Sequence, residues 1–126
     1  MQESDRRLLE LVRGRAGDAF RGAVRYDADE FTVLYVRDDI GTEELRAALP
    51  TIVERARADE PVVPVDIYGA LGETQAAVEL QENAALVHFR RDTGGRGLLI
   101  SLDRDVAQGL GSFVENCLSV LDEESG

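Results

Sequence analysis

The period of the apolar positions changes several times along the chain, and each change marks an element. Leu8, Leu9, Leu11 and Val12 form the apolar side of a first helix from about Asp5 to Ala16, with Ser4 as N-cap and Gly14 and Gly17 at its end. The period then falls to two. Ala19 to Tyr26 reads as a strand with Phe20, Val24 and Tyr26 on one face and Arg21 and Arg25 on the other. Asp27-Ala28-Asp29-Glu30 follows as a hairpin turn, because short Asp-rich segments satisfy their own backbone donors. Phe31 to Arg37 is apolar on both faces, the pattern of a central strand covered on two sides. Thr42 then caps a second helix, with Glu43 and Glu44 in the first turn, where the helix dipole favours anions. Leu45, Leu49, Ile52, Val53 and Ala56 recur as one helical stripe. Pro50 cannot donate to the carbonyl of Arg46, which predicts a kink or two abutting segments.

Glu60 to Pro64 is a connection carrying two prolines, and Val65 to Leu71 is a possible short strand weakened by Gly69 and Gly72. Glu73 to Gln81 alternates as a half-buried strand, Glu82-Asn83 turns the chain, and Ala84 to Arg90 returns. A glycine-rich turn, 91–97, leads to a last strand, Leu98 to Leu102. Asp103 is expected to cap a third helix whose stripe is Val106, Leu110, Phe113, Val114, Cys117, Leu118 and Leu121. This is the strongest helical pattern in the chain. The order is therefore α-β-β-α-(β)-β-β-β-α. Short turns between strands predict an antiparallel sheet of about five strands, and three amphipathic helices must bury their stripes on it. The expected fold is a single α+β domain over 1–126, with helix three packed along the sheet and 122–126 as a frayed tail.

The chain has 126 residues, 14 basic and 25 acidic, for a net charge of −11. Every basic residue is Arg; there is no Lys and no Trp, and one His (His88) and one Cys (Cys117). One Cys forms no internal disulfide, and one Cys with one His cannot complete a four-ligand zinc site. No apolar run approaches the ~20 residues a membrane helix needs, and the run Met1 to Arg7 lacks a basic-then-apolar leader layout. These features predict a cytoplasmic protein. The acid excess would repel itself in dilute buffer. In molar salt the screening length drops to ~3 Å, and the carboxylates keep the surface hydrated. Guanidinium is more weakly hydrated than ammonium and pairs with carboxylates through a fork. The surface therefore reads as an adaptation to a salt-filled cytoplasm; the alternative is an ordinary acidic protein from a high-GC genome, where Arg also displaces Lys.

The order of elements is similar to the roadblock and profilin-like architecture. The hairpin string from Tyr26 to Ile40 resembles that of small acidic haloarchaeal proteins forming a domain of unknown function. So does the C-terminal run Leu86-Val87-His88-Phe89, through Gly95-Arg96-Gly97 and Ser101-Leu102-Asp103-Arg104-Asp105-Val106, to Phe113-Val114-Glu115-Asn116-Cys117. The resemblance implies origin and fold, and carries over no catalytic residue.

Candidate chemistry is sparse. Asp92-Thr93-Gly94 resembles an aspartic protease triplet, but it lies between Arg90-Arg91 and Gly95-Arg96-Gly97, the composition of a hairpin tip. Cys117 sits in an apolar stripe, the place of a small buried hydrophobe. His88, between Val87 and Phe89, is expected to face solvent or a helix. The acidic clusters at Asp27, Asp38-Asp39 and Asp103 lack calcium-loop spacing. Gly94-Gly95-Arg96-Gly97 lies between strands, and Gly109-Leu110-Gly111 inside a helix, so neither has the strand–loop–helix context of a phosphate cradle. Gly109 and Gly111 instead predict close approach of helix three to another backbone.

The expected function is a non-enzymatic interaction or regulatory module that associates with itself or another protein, without cofactor, metal or membrane. Candidate interface residues are Leu49, Ile52 and Val53 on helix two and Val63, Val65 and Ile67 in the connection. One alternative is nucleic-acid binding through Arg90, Arg91 and Arg96, a basic patch on an acidic body whose hold on phosphate would weaken steeply with salt. Another is a small hydrolase using His88 with an acid. The charge argument makes the first prediction: the thermal unfolding midpoint rises between 0.1 M and ~2 M KCl, as screening removes self-repulsion. Equal stability at both salt concentrations would refute it.

Overall fold

In the computed structural model, which describes residues 3–90 and 95–125, Asp27 closes the first hairpin with its own side chain. Its Oδ1 accepts from the backbone N–H groups of Asp29 and Glu30 at 2.9 and 2.8 Å. These two donors hold the Asp27 carboxyl below the usual carboxylate range. The turn joins β1 (Phe20–Tyr26) to β2 (Phe31–Val36). Ahead of it lies α1 (Glu3–Ala16) and after it α2 (Glu43–Ala58). β3 (Ala77–Leu80), β4 (Ala85–Arg90) and β5 (Gly97–Leu102) form a meander, and α3 (Gln108–Ser125) is the last described element. The fold is α+β, with three helices and one antiparallel five-stranded sheet in the order α-β-β-α-β-β-β-α.

Strand order across the sheet is β2-β1-β5-β4-β3. β1 and β5 are central, and β2 is an edge strand rather than the central one its two apolar faces predicted. Those faces have another cause: the sheet carries a helix on each side. Ala23 pairs with Ile100, and both pack with Leu9 of α1 and Phe20. The next pair, Val24 with Leu99, points the opposite way and packs with Leu49, Val53 and Ala56 of α2. Phe20 therefore lies on the α1 face, not with Val24 and Tyr26. The register of β1 on β5 slips between Phe20 and Gly22, and the added residue turns Phe20 over. Arg25 also faces α1, where its Nε lies 3.0 Å from the buried Asp5 carboxylate.

Thr42 caps α2 as its sequence requires, with its hydroxyl accepting from the Leu45 N–H at 3.2 Å. α2 runs through Pro50 as one helix instead of two segments. Pro50 and Arg46 are exposed, so water can serve the carbonyl that the proline ring leaves without a donor. The optional strand over 65–71 does not form. Ile67 and Tyr68 N–H groups both donate to the Pro64 carbonyl, and a 3-10 turn follows at Gly69–Leu71.

The largest departure concerns α3. Among the described residues it meets the body at its foot, through half-buried Ala107 and Val114 and buried Gly111. From Glu115 to Asp122 every residue is exposed. The stripe expected to lie along the sheet instead faces solvent, Phe113 at 65 % and Leu121 at 53 % exposure. Cys117, expected in the core, is exposed with it. The helix also runs on to Ser125 where a frayed tail was expected.

Two substitutions separate the buried from the exposed stripe. Val53→Ala, in α2 with no exposed surface, is expected to cost about 2 kcal/mol in urea unfolding. Phe113→Ala is expected to stay under ~1 kcal/mol, where a buried Phe would cost ~3–5. A large loss at Phe113 would place α3 in the core after all.

Candidate functional site

His88 has the chemistry most worth locating, and the sheet register places it. On the α2 face one row runs Phe31, Tyr26, Gly97, Arg90 across β2, β1, β5 and β4. The next row on that face includes Val24, Leu99, His88 and Ala77. β5 lies between Tyr26 and His88. With no side chain at Gly97, the Tyr26 ring lies across β5, and a Cβ at that position would collide with the hydroxyl end of the phenol. Tyr26 Oη thereby reaches His88 Nε2 at 2.6 Å. On its other side His88 Nδ1 lies 3.3 Å from Asp59 Oδ2, at the C-cap of α2. An ionised carboxylate only accepts, so Nδ1 carries the proton. With the imidazole neutral, Nε2 is then the acceptor and Tyr26 O–H the donor.

This Tyr–His–Asp chain is buried at Tyr26 and His88 and reaches the surface at Asp59. Tyr26 is 2 % and His88 7 % exposed. Both ring nitrogens are engaged, and the base nitrogen is covered by a phenol that is itself buried. Burial lifts the Tyr26 phenol above its usual pKa, and the nearby Asp59 charge adds to this while Arg90 and Arg57 oppose it. Arg57 continues the clamp, its Nε donating to the Asp27 carbonyl at 2.8 Å and its Nη2 to the Glu30 carbonyl at 3.1 Å. The C-terminal end of α2 is thus tied to the β1–β2 turn and to β4.

A second polar node closes the other end of the sheet. Arg37 donates all five of its N–H bonds. Two go to Asp39 at 2.6 and 3.1 Å, two to Asp103 at 2.9 and 3.1 Å, and one to the Asp18 carbonyl at 2.7 Å. Asp103 and Asp39 are held below the usual carboxylate range, chiefly by these Arg37 bonds. Asp103 was expected to cap helix three. It makes no side-chain cap, because Arg37 takes both its oxygens, with Arg21 also 3.7 Å away.

The other expected sites disperse. Leu49 and Val53 are buried within the chain against the sheet and Ile52 packs half-buried beside them, so this stripe is occupied. Val63, Val65 and Ile67 do lie at the surface, Ile67 at 76 % exposure, and Tyr68 and Leu71 are exposed nearby. Arg90 and Arg96 are exposed at the base of the β4–β5 connection. Arg91, with the Asp92-Thr93-Gly94 triplet, lies outside the described residues. Among the described residues no three His, Cys, Asp or Glu gather as a metal site needs. Nor is any helix among them long and apolar enough to cross a membrane.

What remains is the exposed face of α3, which the stripe foretold as apolar but not as uncovered. Arg104 braces its foot. Nη1 donates to the Gln81 carbonyl at 2.6 Å, Nη2 lies 3.7 Å from Glu115, and a Cβ at Gly111 would come within 3.3 Å of Nε. Gly111 thus admits an arginine side chain, not a second backbone. Beyond this brace Leu110, Phe113, Leu118, Val120 and Leu121 are each about half exposed or more.

Residues 6–122 match a domain of unknown function, DUF7522. The chain belongs to this family. No curated protein matches it. The DUF7522 match takes in both helices on the sheet, all five strands and nearly all of α3, so the projecting helix lies within the family's domain.

The buried phenol gives this DUF7522 domain an alkaline limit. A group whose folded pKa is raised contributes stability below its unfolded pKa, ~10 for Tyr, and loses it as pH rises further. One of the three tyrosines is expected to ionise late, together with unfolding, in a spectrophotometric titration, and Tyr26→Phe to remove that phase. The same substitution is expected to cost about 1–3 kcal/mol at neutral pH, by leaving His88 Nε2 buried without a donor. A Tyr26 that ionises freely near pH 10 in the folded protein would contradict the buried bond.

Proposed function

We propose that the chain is a non-enzymatic interaction module that docks through the exposed face of α3 in a salt-filled cytoplasm. The exposure of the α3 stripe carries this reading. A helix of 18 residues needs good helix formers or tertiary packing to persist in water. α3 contains Gly109, Gly111, Val114 and Val120, all weak in helices, and draws little support from its own sheet. Such a helix holds its shape by laying its apolar side on something else. The apolar positions 62–71 add a second exposed surface.

The acidic, lysine-free exterior supports a high-salt setting, in which hydrophobic docking strengthens and long-range charge repulsion fades. The order helix, hairpin, helix, meander, helix supports reading the fold as roadblock/profilin-like, and the hairpin and C-terminal strings support a haloarchaeal origin. The occupied nitrogens of His88 weigh against hydrolysis.

A photo-reactive benzophenone side chain placed at position 113 tests the reading in cells at native salt. A crosslink from α3 to a separate polypeptide is the expected result. A crosslink confined to the chain's own sheet, at Val78 or Val87, would show that α3 folds back and would overturn it.

A further inference from the structure

The spacing of the α3 stripe identifies what can cover it. Leu110, Val114, Cys117 and Leu121 are separated by four, three and four residues, alternating d and a positions of a heptad. The series reads the same in both directions about one point, midway between Glu115 and Asn116. Phe113 and Val120 widen the seam on one side and Leu118 on the other. Antiparallel helices pair a positions with d positions, and a two-fold axis requires the same surface from both copies. A second α3 laid antiparallel over this one meets both demands. Leu110 falls opposite the partner's Leu121, and the side of Val114 that its own body leaves uncovered falls opposite the partner's Cys117.

Charge and area agree with that occupant. From Val106 to Leu121 the chain carries one charge, Glu115, which lies off the seam and near Arg104. On a body of net charge −11 this is a stretch over which two identical copies repel weakly, the helix's other acids following only after Leu121. The exposed apolar side chains of the stripe amount to on the order of 500 Å² per copy, so full coverage of both reaches the ~1,000 Å² at which specific interfaces begin.

We propose that α3 pairs antiparallel with α3 of a second copy of this chain, through the seam Leu110, Val114, Cys117 and Leu121. This rests on the reading of α3 as a docking helix and names its partner. Light scattering at ~100 µM in about 2 M KCl is expected to report a dimer, since a pair of this size binds modestly and screening favours it. Leu110→Glu is expected to weaken association at least ~100-fold while the body stays folded by near-ultraviolet circular dichroism. Cys117 is the sole cysteine, so any link it makes through a short bis-maleimide joins two chains, and efficient linking is expected. In a Cys117→Ser background, Leu110→Cys should not link, because antiparallel order separates the two copies of position 110 by ~16 Å along the axis. Ready linking at position 110 would mean a parallel pair and would overturn the proposal, as would a monomer under these conditions. A monomer whose position-113 probe still captures another polypeptide would sink the self-pairing alone. A monomer whose α3 amides resist hydrogen exchange because the helix lies on its own sheet would sink the docking reading as well.

Discussion

The missing side chain at Gly97 is the constraint from which the α2 side of the fold follows. An antiparallel sheet separates β1 from β4 by the whole width of β5, and a Cβ on the intervening residue would stop any ring from crossing. Without it, Tyr26 spans the strand and gives His88 its one buried donor. His88, satisfied on that side, turns its other nitrogen to Asp59 and so fixes where α2 ends over the sheet. Arg57, two residues earlier, then reaches the carbonyls of the β1–β2 turn. Each step satisfies a buried or half-buried polar group whose orphaning would cost more than the bond returns. This polar chain therefore specifies the position of the helix, while Val53 and Leu49 supply the apolar burial that holds it there.

The same accounting governs the other end of the sheet. Arg37 leaves no N–H unused, and its partners come from the ends of β1, β2 and β5. A guanidinium with five donors in a fixed fork can join three chain segments in one plane, and a lysine cannot. The all-arginine composition thus has a structural use beside any adaptation to salt. Acidic side chains that would otherwise repel one another, Asp39 and Asp103, are brought to one cation and held ionised.

How much of this was legible depended on the range over which each residue acts. Thr42 and Asp27 act on backbone groups within three residues, and both did what their types require. The meander and its helices were legible because period and turn chemistry are local. Phe20 changed faces because a bulge adds a residue, and a period-two reading cannot see a register that depends on the neighbouring strand. Asp103 looked like a cap because a cap is the local use of an acid before a helix; Arg37, 66 residues away, outbid the local donors. His88 was singled out by its rarity, but its partners Tyr26 and Asp59 lie 62 and 29 residues away and carried no shared motif. The glycine that unites them read only as part of a turn.

The α3 stripe shows the limit of amphipathic patterning most directly. A helical moment states that a face must be dry; it does not state which surface keeps it dry. Assigning the stripe to the chain's own sheet assumed that a small domain consumes all its apolar surface internally. Here α1 and α2 already take one face each, and the brace at Arg104 commits the foot of α3 to the β3–β4 turn, away from the central strands. What is left is a helix too poor in intrinsic propensity to persist by itself and too apolar to remain wet, whose spacing is symmetric about its own midpoint. Those properties are unrelated requirements for a helix packed inside one domain, and they coincide for a helix that meets its own copy.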